Sequence, residues 1–399
     1  MNTYAKYVVS PETARMLSLG HPWVVADAYT RRWPEGRPGD VVTLVDDQRR
    51  PLATALLDPG ERVVARVLKH GAMLLDQAWM NGRLEKALAW RHTHLDLEGT
   101  NAYRLVNAEG DGLPGLTVDR YGEHLLLQLF SRSWEPHLPL LVGGLQKMLQ
   151  PAGIYGKFRP QETRKLAAHS RSLSRLLQGA PAPGRLAVQE NGLTYLVELE
   201  AGLNCGLFCD QRRNRRDLMD RAKGRRVLNL FAYTGAFSVA AAAAGARQVT
   251  SVDASARYLE WARDNFSANR INPKRHEFVT GECLAILQQM AQAGRRFDIV
   301  LMDPPSFSTV GKSRFTTGGG TSDLVAAALP LLEEGGLLIT SSNHQKVDLA
   351  DYLKELRRGA LAAGAELRVL ASCGQGADFL YPVTFPEGRY LKYLVSVKG

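Results

Sequence analysis

Short apolar runs separated by turn signals fill the start of the chain. Val41-Val42-Thr43-Leu44-Val45, Ala53-Thr54-Ala55-Leu56-Leu57 and Arg62-Val63-Val64-Ala65-Arg66-Val67 read as strands. Gly36 to Gly39, Asp46-Asp47 and Asp58-Pro59-Gly60 punctuate them, which predicts a small closed or nearly closed β unit over residues 1–72. A helical period follows in Leu74, Leu75, Ala78, Trp79, Leu84, Ala87 and Leu88. Strands are expected at 103–107, 116–119, 125–129 and 153–157, with a helix near 136–150. Asn191-Gly192 between two β-type runs is the strongest short hairpin signal in the chain. Residues 73–200 thus read as an α+β middle domain. From 201 to 399 strands and helices alternate, with strands at Arg226–Leu230, Gln248–Asp253, Glu277–Thr280, Phe297–Met302 and 336–341. Two more are expected at 367–370 and 390–397. The alternation predicts a doubly wound α/β sheet with an antiparallel finish and a ligand beyond the C-terminal strand ends.

Composition narrows the classes. The chain has 399 residues, 45% of them apolar and 23% charged, which suits two or three globular domains and excludes a disordered tail or a disulfide scaffold. No run of about 18 apolar residues exists for a membrane helix, and Met1 to Lys6 lacks a secretion-signal core, so a cytoplasmic protein is expected. Cys205 and Cys209, like His92 and His94, have no partner pair at zinc spacing, so no metal is expected. The net charge of +10 is uneven. Residues 1–100 hold 13 basic and 12 acidic residues, whereas 157–226 hold 15 and 7. Such a local excess suits a polyanion, RNA or DNA, as it does a solvated face beside a domain seam.

The chemistry gathers at the strand ends. The first ends in Asn229-Leu230-Phe231-Ala232-Tyr233-Thr234-Gly235, whose single glycine argues against a dinucleotide fingerprint. The second ends in Asp253, which can accept from two ribose hydroxyls and can also cap the next helix. After the third, Glu282 can accept from an adenine amino group. The fourth closes in Asp303-Pro304-Pro305-Ser306-Phe307, where two prolines remove two N–H donors and Phe307 can stack on a base.

This set resembles the class I S-adenosylmethionine methyltransferases. The whole chain is similar to the PUA-domain 23S rRNA methyltransferases of the RlmI and RlmK group. The resemblance rests on Gly20-His21-Pro22-Trp23-Val24-Val25, Glu109-Gly110-Asp111-Gly112-Leu113-Pro114-Gly115-Leu116-Thr117-Val118-Asp119-Arg120-Tyr121, Gly206-Leu207-Phe208-Cys209-Asp210-Gln211-Arg212 and Pro386-Glu387-Gly388-Arg389-Tyr390-Leu391-Lys392. It implies a small β-rich PUA domain and an α+β middle domain ahead of a Rossmann-like class I methyltransferase domain. It implies S-adenosylmethionine as cofactor and 23S rRNA or a pre-50S particle as partner, with a homodimer as a further option. By resemblance, Asn229, Phe231, Tyr233, Thr234, Gly235 and Asp253 hold the methionine and ribose portions of the cofactor. Glu282 lies near its adenine, and Asp210 and Arg212 help close the pocket. Asp303, Pro304, Pro305 and Phe307 receive the base. The PUA-like region and the basic 157–226 stretch grip phosphates.

One departure changes the expected chemistry. The RlmI branch makes 5-methylcytosine with a cysteine in an S-C-S element after the fifth strand, because a thiolate must add at C6 before C5 becomes nucleophilic. Here that run is Thr340-Ser341-Ser342-Asn343-His344. The RlmK branch has S-N-N there and methylates guanine N7, whose in-plane lone pair needs neither thiol nor base. Methylation of a guanine nitrogen, N7 before the exocyclic amine, is therefore expected, with Ser342, Asn343 and Asp303 orienting the base. The alternatives are a 5-methylcytosine enzyme with Cys209 as displaced nucleophile and an inactive RNA-binding assembly factor.

Overall fold

The computed structural model describes residues 4–159, 174–200, 204–305, 307–310, 313–316 and 320–399. Residues 160–173 and 201–203 of the basic 157–226 stretch, and Ser306, lie outside them. The chain divides into two compact units.

The first unit comprises Met1–Leu186, Val197–Cys205 and Ala377–Gly388. Its N-terminal sheet holds β1 (Ala5–Val8), β2 (Trp23–Val25), β3 (Val41–Val45), β4 (Pro51–Leu57) and β5 (Val63–His70) in the order β1-β3-β4-β5-β2. The sequence pattern reveals β3, β4 and β5, but not the short edge strands or the helix α1 (Pro11–Ser18). That helix had a readable start: Ser10 caps it and Pro11 opens it. A second sheet, ordered β10-β9-β8-β7-β6, holds β6 (Ala102–Asn107), β7 (Leu116–Tyr121), β8 (His124–Leu129), β9 (Gly153–Phe158) and β10 (Ser174–Gly179). Helices α2 (Gln77–His94) and α3 (Leu138–Leu149) supply Met80, Leu84, Leu141 and Leu145 to the core over it.

The acids of the 109–119 segment brace this unit. Glu109 accepts from Trp23 Nε1 at 2.8 Å and from the Gly115 N–H at 3.1 Å. Asp111 pairs with buried Arg91, and Asp119 with Arg104, each at 2.5 Å. Gly110 approaches the Leu380 carbonyl so closely that a Cβ would lie 2.0 Å from its oxygen.

The second unit comprises Ala187–Leu196, Gly206–Gly376 and Arg389–Gly399. The hairpin of β11 (Leu186–Glu190) and β12 (Leu193–Val197) turns where expected, with φ of 53° at Asn191 and 77° at Gly192. Two positive φ angles define the turn that suits the strand twist. The sheet follows with β13 (Arg226–Leu230), β14 (Gln248–Asp253), β15 (Glu277–Thr280) and β16 (Phe297–Met302). After a small hairpin of β17 (Phe307–Val310) and β18 (Ser313–Thr316) come β19 (Leu332–Ser342), β20 (Leu367–Cys373) and β21 (Lys392–Lys398). The order is β15-β14-β13-β16-β19-β21-β20, parallel from β15 to β19, with β21 antiparallel to its neighbours. Helices α4 (Arg212–Ala222), α5 (Ala236–Ala243), α6 (Ala256–Ala268), α7 (Cys283–Gln292), α8 (Gly320–Ala328) and α9 (Leu349–Ala362) connect or flank the strands. Both sheet faces are covered, by cores containing Leu228, Val300 and Leu338 on one side and Val227, Ile299 and Ile339 on the other. The order reverses between β13 and β16, which opens the ligand crevice at their C-terminal ends.

Candidate active site

The turn after β13 has an unusual backbone. Phe231, Tyr233 and Gly235 have φ of 56°, 51° and 77°, with Ala232 and Thr234 between them. Positive φ costs a non-glycine residue roughly 1 kcal/mol, so two in three residues need strong support. That support is visible. The Ala232 N–H donates to the Val252 carbonyl at 2.9 Å, and the Tyr233 N–H to Asp253 Oδ2 at 2.8 Å. Thr234 is buried, its hydroxyl donating to the Gly206 carbonyl at 2.5 Å and its carbonyl accepting from Asn265 Nδ2 at 2.8 Å. The Tyr233 ring lies 4.5 Å from Tyr258 and 5.5 Å from Phe208. Asn229 is buried beneath the turn, and its amide donates to Ser238 Oγ at 2.8 Å.

Asp253 is fixed at both oxygens, since Oδ1 accepts from the Ser255 N–H at 2.9 Å. The expected capping role falls elsewhere: Ser255 is the N-cap of α6, taking the Tyr258 N–H. The reason is geometric, because Asp253 is spent on bridging its own strand end to the β13 turn. Glu282 turns out to cap α7, accepting from the Ala285 N–H at 2.9 Å. One carboxylate oxygen bonded this way leaves lone pairs for a further donor.

Asp303, at the end of β16, is half-buried. Gln211 Nε2 donates to its Oδ2 at 3.0 Å and to Ser341 Oγ at 2.8 Å. The Gln211 amide is oriented in turn by Asn214, whose Nδ2 donates to Oε1 at 2.6 Å. Burial pushes the Asp303 carboxyl up to about 6, with the Asp210 charge adding to the rise. Hydrogen bonds from Ser341 and Gln211 and the charge of Arg215 oppose it. Pro304 is buried and Pro305 exposed. Phe307 begins β17.

Asp210 accepts from Tyr390 OH at 2.7 Å. Arg212 opens α4 and is buried, its carbonyl taking the Asn191 amide at 3.2 Å. At the end of β19, Ser341 and Ser342 are buried, and Asn343 just beyond it is exposed. Lys392 pins that loop from β21, donating to the carbonyls of His344 at 2.6 Å and Val347 at 2.9 Å. Sequence reading missed Gln211, Asn214 and Lys392 as site-forming residues. The signal for two of them was available, since Gln211 lies between Asp210 and Arg212 and Lys392 closes the 386–392 motif.

No cysteine stands at the end of β19. Cys205 belongs to the first unit, where its Sγ donates to Tyr121 OH at 2.8 Å. Cys283 is buried in α7 with its thiol pushed up to about 12 by burial. Cys209 is buried in the turn before α4, and Cys373 lies on β20. No cluster of metal-ligating side chains occurs among the described residues.

Residues 111–372 match the model of a family of S-adenosylmethionine-dependent methyltransferases, and residues 8–70 match that of a PUA-like domain. The ribosomal RNA large subunit methyltransferase I of Cronobacter sakazakii is 34% identical over 392 residues, 97% of this chain and 98% of its own. Its namesake from Escherichia coli O157:H7 is 32% identical with the same coverage, 97% and 98%. Among solved structures, SMU.776 complexed with SAH is 28% identical with a TM-score of 0.89 over 98% of this chain and 100% of its own. A SAM-dependent methyltransferase from Streptococcus mutans is 28% identical with a TM-score of 0.86, covering 98% and 100%. The strand order, the anchored Asp253 and the Asp-Pro-Pro strand end define a class I S-adenosylmethionine-dependent methyltransferase. Within that class, the chain belongs to the family of the ribosomal RNA large subunit methyltransferase I proteins.

The residues present fit the cofactor. The β13 turn passes so near α6 that a Cβ on Gly235 would lie 2.7 Å from Ala262 Cβ. That contact and the bond to Asp253 fix the turn's unusual path, leaving its backbone and the carboxylates of Asp253 and Glu282 to meet a nucleoside.

Proposed function

We propose that this enzyme methylates a base of large-subunit ribosomal RNA at a guanine nitrogen, N7 before the exocyclic amine, without a covalent bond to the base. The names of the relatives support the RNA. The observation that carries the mechanism is the end of β19, where Ser341-Ser342-Asn343 stand and no thiol is present. A serine hydroxyl stays protonated near neutrality and cannot replace a thiolate for addition to a pyrimidine ring.

Asp253 and the 229–235 turn hold the nucleoside and methionine portions of S-adenosylmethionine, with Glu282 beside the adenine. When bound, the cofactor supplies an electrophilic methyl group on a sulfonium. Asp303 accepts from the N–H groups of the base, and Ser342 and Asn343 fix its edge. Pro304 and Pro305 present carbonyls but no competing N–H donors, and Phe307 packs on the base face. N7 brings its own lone pair, so the protein's contribution is alignment, which suffices for a large share of such a barrier. Asp210, held by Tyr390, and Arg212 complete the pocket wall.

A second reading, 5-methylcytosine formation by Cys209, is favoured by one observation: Cys209 is two residues from Gln211, which bonds Asp303. Mass spectrometry of 23S rRNA nucleosides from cells with and without the protein separates the two. Loss of 7-methylguanosine is expected. Loss of 5-methylcytidine, with a 5-fluorocytidine adduct that disappears in Cys209→Ala, overturns the guanine assignment.

A further inference from the structure

The second unit carries a strongly charged surface at the edge of its sheet opposite the crevice. The chain enters β13, β14, β15 and β16 there. The entering segments 223–226, 245–248, 270–277 and 294–298 hold nine basic and two acidic residues, a net of +7. The rest of that edge, 332–336, 364–368 and 397–399, holds two basic and three acidic residues, a net of −1. The charge is therefore localised on half of one edge.

Packing leaves this charge outward. Both acids in the basic half are already engaged: Asp298 pairs with Arg226 at 3.2 Å and Glu277 with Arg295 at 2.5 Å. Lys223, Arg225, Arg247, Lys274, Arg275 and Arg296 are exposed, and none forms an ion pair among the described residues. Backbone bonds set them side by side. The Arg247 N–H donates to the Arg225 carbonyl at 2.8 Å, and the Gly224 N–H to the Gly245 carbonyl at 2.8 Å. His276 Nδ1 accepts the Val249 N–H at 3.2 Å, which ties the 273–276 segment to β14. Four adjacent strands at roughly 4.8 Å spacing give a row about 14 Å wide, enough for several phosphates. Four of the six cations are arginines, whose planar fork suits phosphate oxygens.

We propose that this N-terminal edge of β13 to β16 is a second RNA-backbone surface, holding phosphates of the substrate RNA away from the reacting base. The proposal rests on the reading of RNA as substrate. Strands of four to six residues separate the two edges by about 13–20 Å, so an RNA touching both is a folded element rather than one short loop.

The test is Arg225→Gln/Arg247→Gln/Lys274→Gln in the full chain, compared with wild type for binding to a folded 23S rRNA domain transcript across salt concentrations. The slope of log affinity against log salt is expected to fall by about 2–3, near 0.7–0.9 per lost phosphate contact. S-adenosylmethionine binding by calorimetry and turnover at saturating RNA are expected to stay unchanged. Wild-type RNA binding with an equal slope in the variant overturns the surface alone and leaves the patch to an acidic protein. Absence of RNA binding by wild type overturns the substrate reading and the surface with it.

Discussion

Replacing Asp303 by asparagine should stabilise this protein at neutral pH while removing its activity. Burial raises the Asp303 carboxyl to about 6, against roughly 3.9 in an unfolded chain. The folded state thus holds this proton more tightly than the unfolded one. Below about pH 4 both states are protonated and the charge costs nothing. Between about pH 4 and 6 the unfolded chain ionises while the folded state resists, so stability falls; above about 6 the folded state ionises too and the loss is complete. About two pKa units at 1.36 kcal/mol each give an upper figure of about 3 kcal/mol near pH 7.5. Asp303→Asn removes the titration and keeps an oxygen to accept from Gln211. Urea or thermal unfolding of both proteins should give the variant an advantage of up to several degrees at pH 7.5. The advantage should shrink from pH 6 to 4 and disappear near 4. Methyl transfer should be lost with S-adenosylmethionine binding retained. A variant less stable at pH 7.5, or with a pH-independent difference, would refute the assignment of a half-buried, reluctantly ionised carboxylate.

Two further outcomes follow from neighbouring contacts. Gln211→Leu removes a donor that favours the ionised form of Asp303. The acid limb of the kcat–pH profile should therefore move to higher pH, and a profile that only drops in height would assign Gln211 a purely structural role. Glu190→Ala removes the two 2.6 Å bonds to buried Arg215, leaving it the Phe208 carbonyl at 2.8 Å. An uncompensated buried guanidinium should cost about 3–5 kcal/mol, read as a lower urea midpoint, and a loss below about 1 kcal/mol would show that water reaches the site.

The sheet was legible because strand–helix alternation is a local pattern, and Asp253 and Asp303 stood out because each ends an apolar run. The Asn191-Gly192 turn was legible for a similar reason, since two adjacent residues carry its geometry. Asn214 was not, because it is 89 residues from Asp303 in the chain and only the fold brings it, through Gln211, to the strand end. The strands β1 and β2 escaped because runs of four and three residues carry too little periodicity. The 109–119 segment signalled family membership but not its physical task. Its acids bond Trp23, Arg91 and Arg104, partners as far as 86 residues away.

On the proposed function, the placement of charge on the two sheet edges follows from what each would meet. A cationic sulfonium, ribose hydroxyls and base N–H groups all call for carboxylates, and Asp253, Glu282 and Asp303 occupy the C-terminal strand ends accordingly. Those same charges repel phosphates. An RNA chain drawn toward the crevice is therefore disfavoured there unless cations elsewhere compensate, and screening within about 8–10 Å limits how far a distant patch can act on the reacting base itself. Positive charge about 13–20 Å behind the crevice can accordingly hold the RNA without neutralising the carboxylates proposed to orient the base and the cofactor. A parallel sheet suits this division, because every strand begins at one edge and ends at the other. Segments entering the strands can accumulate arginine and lysine while segments leaving them stay acidic.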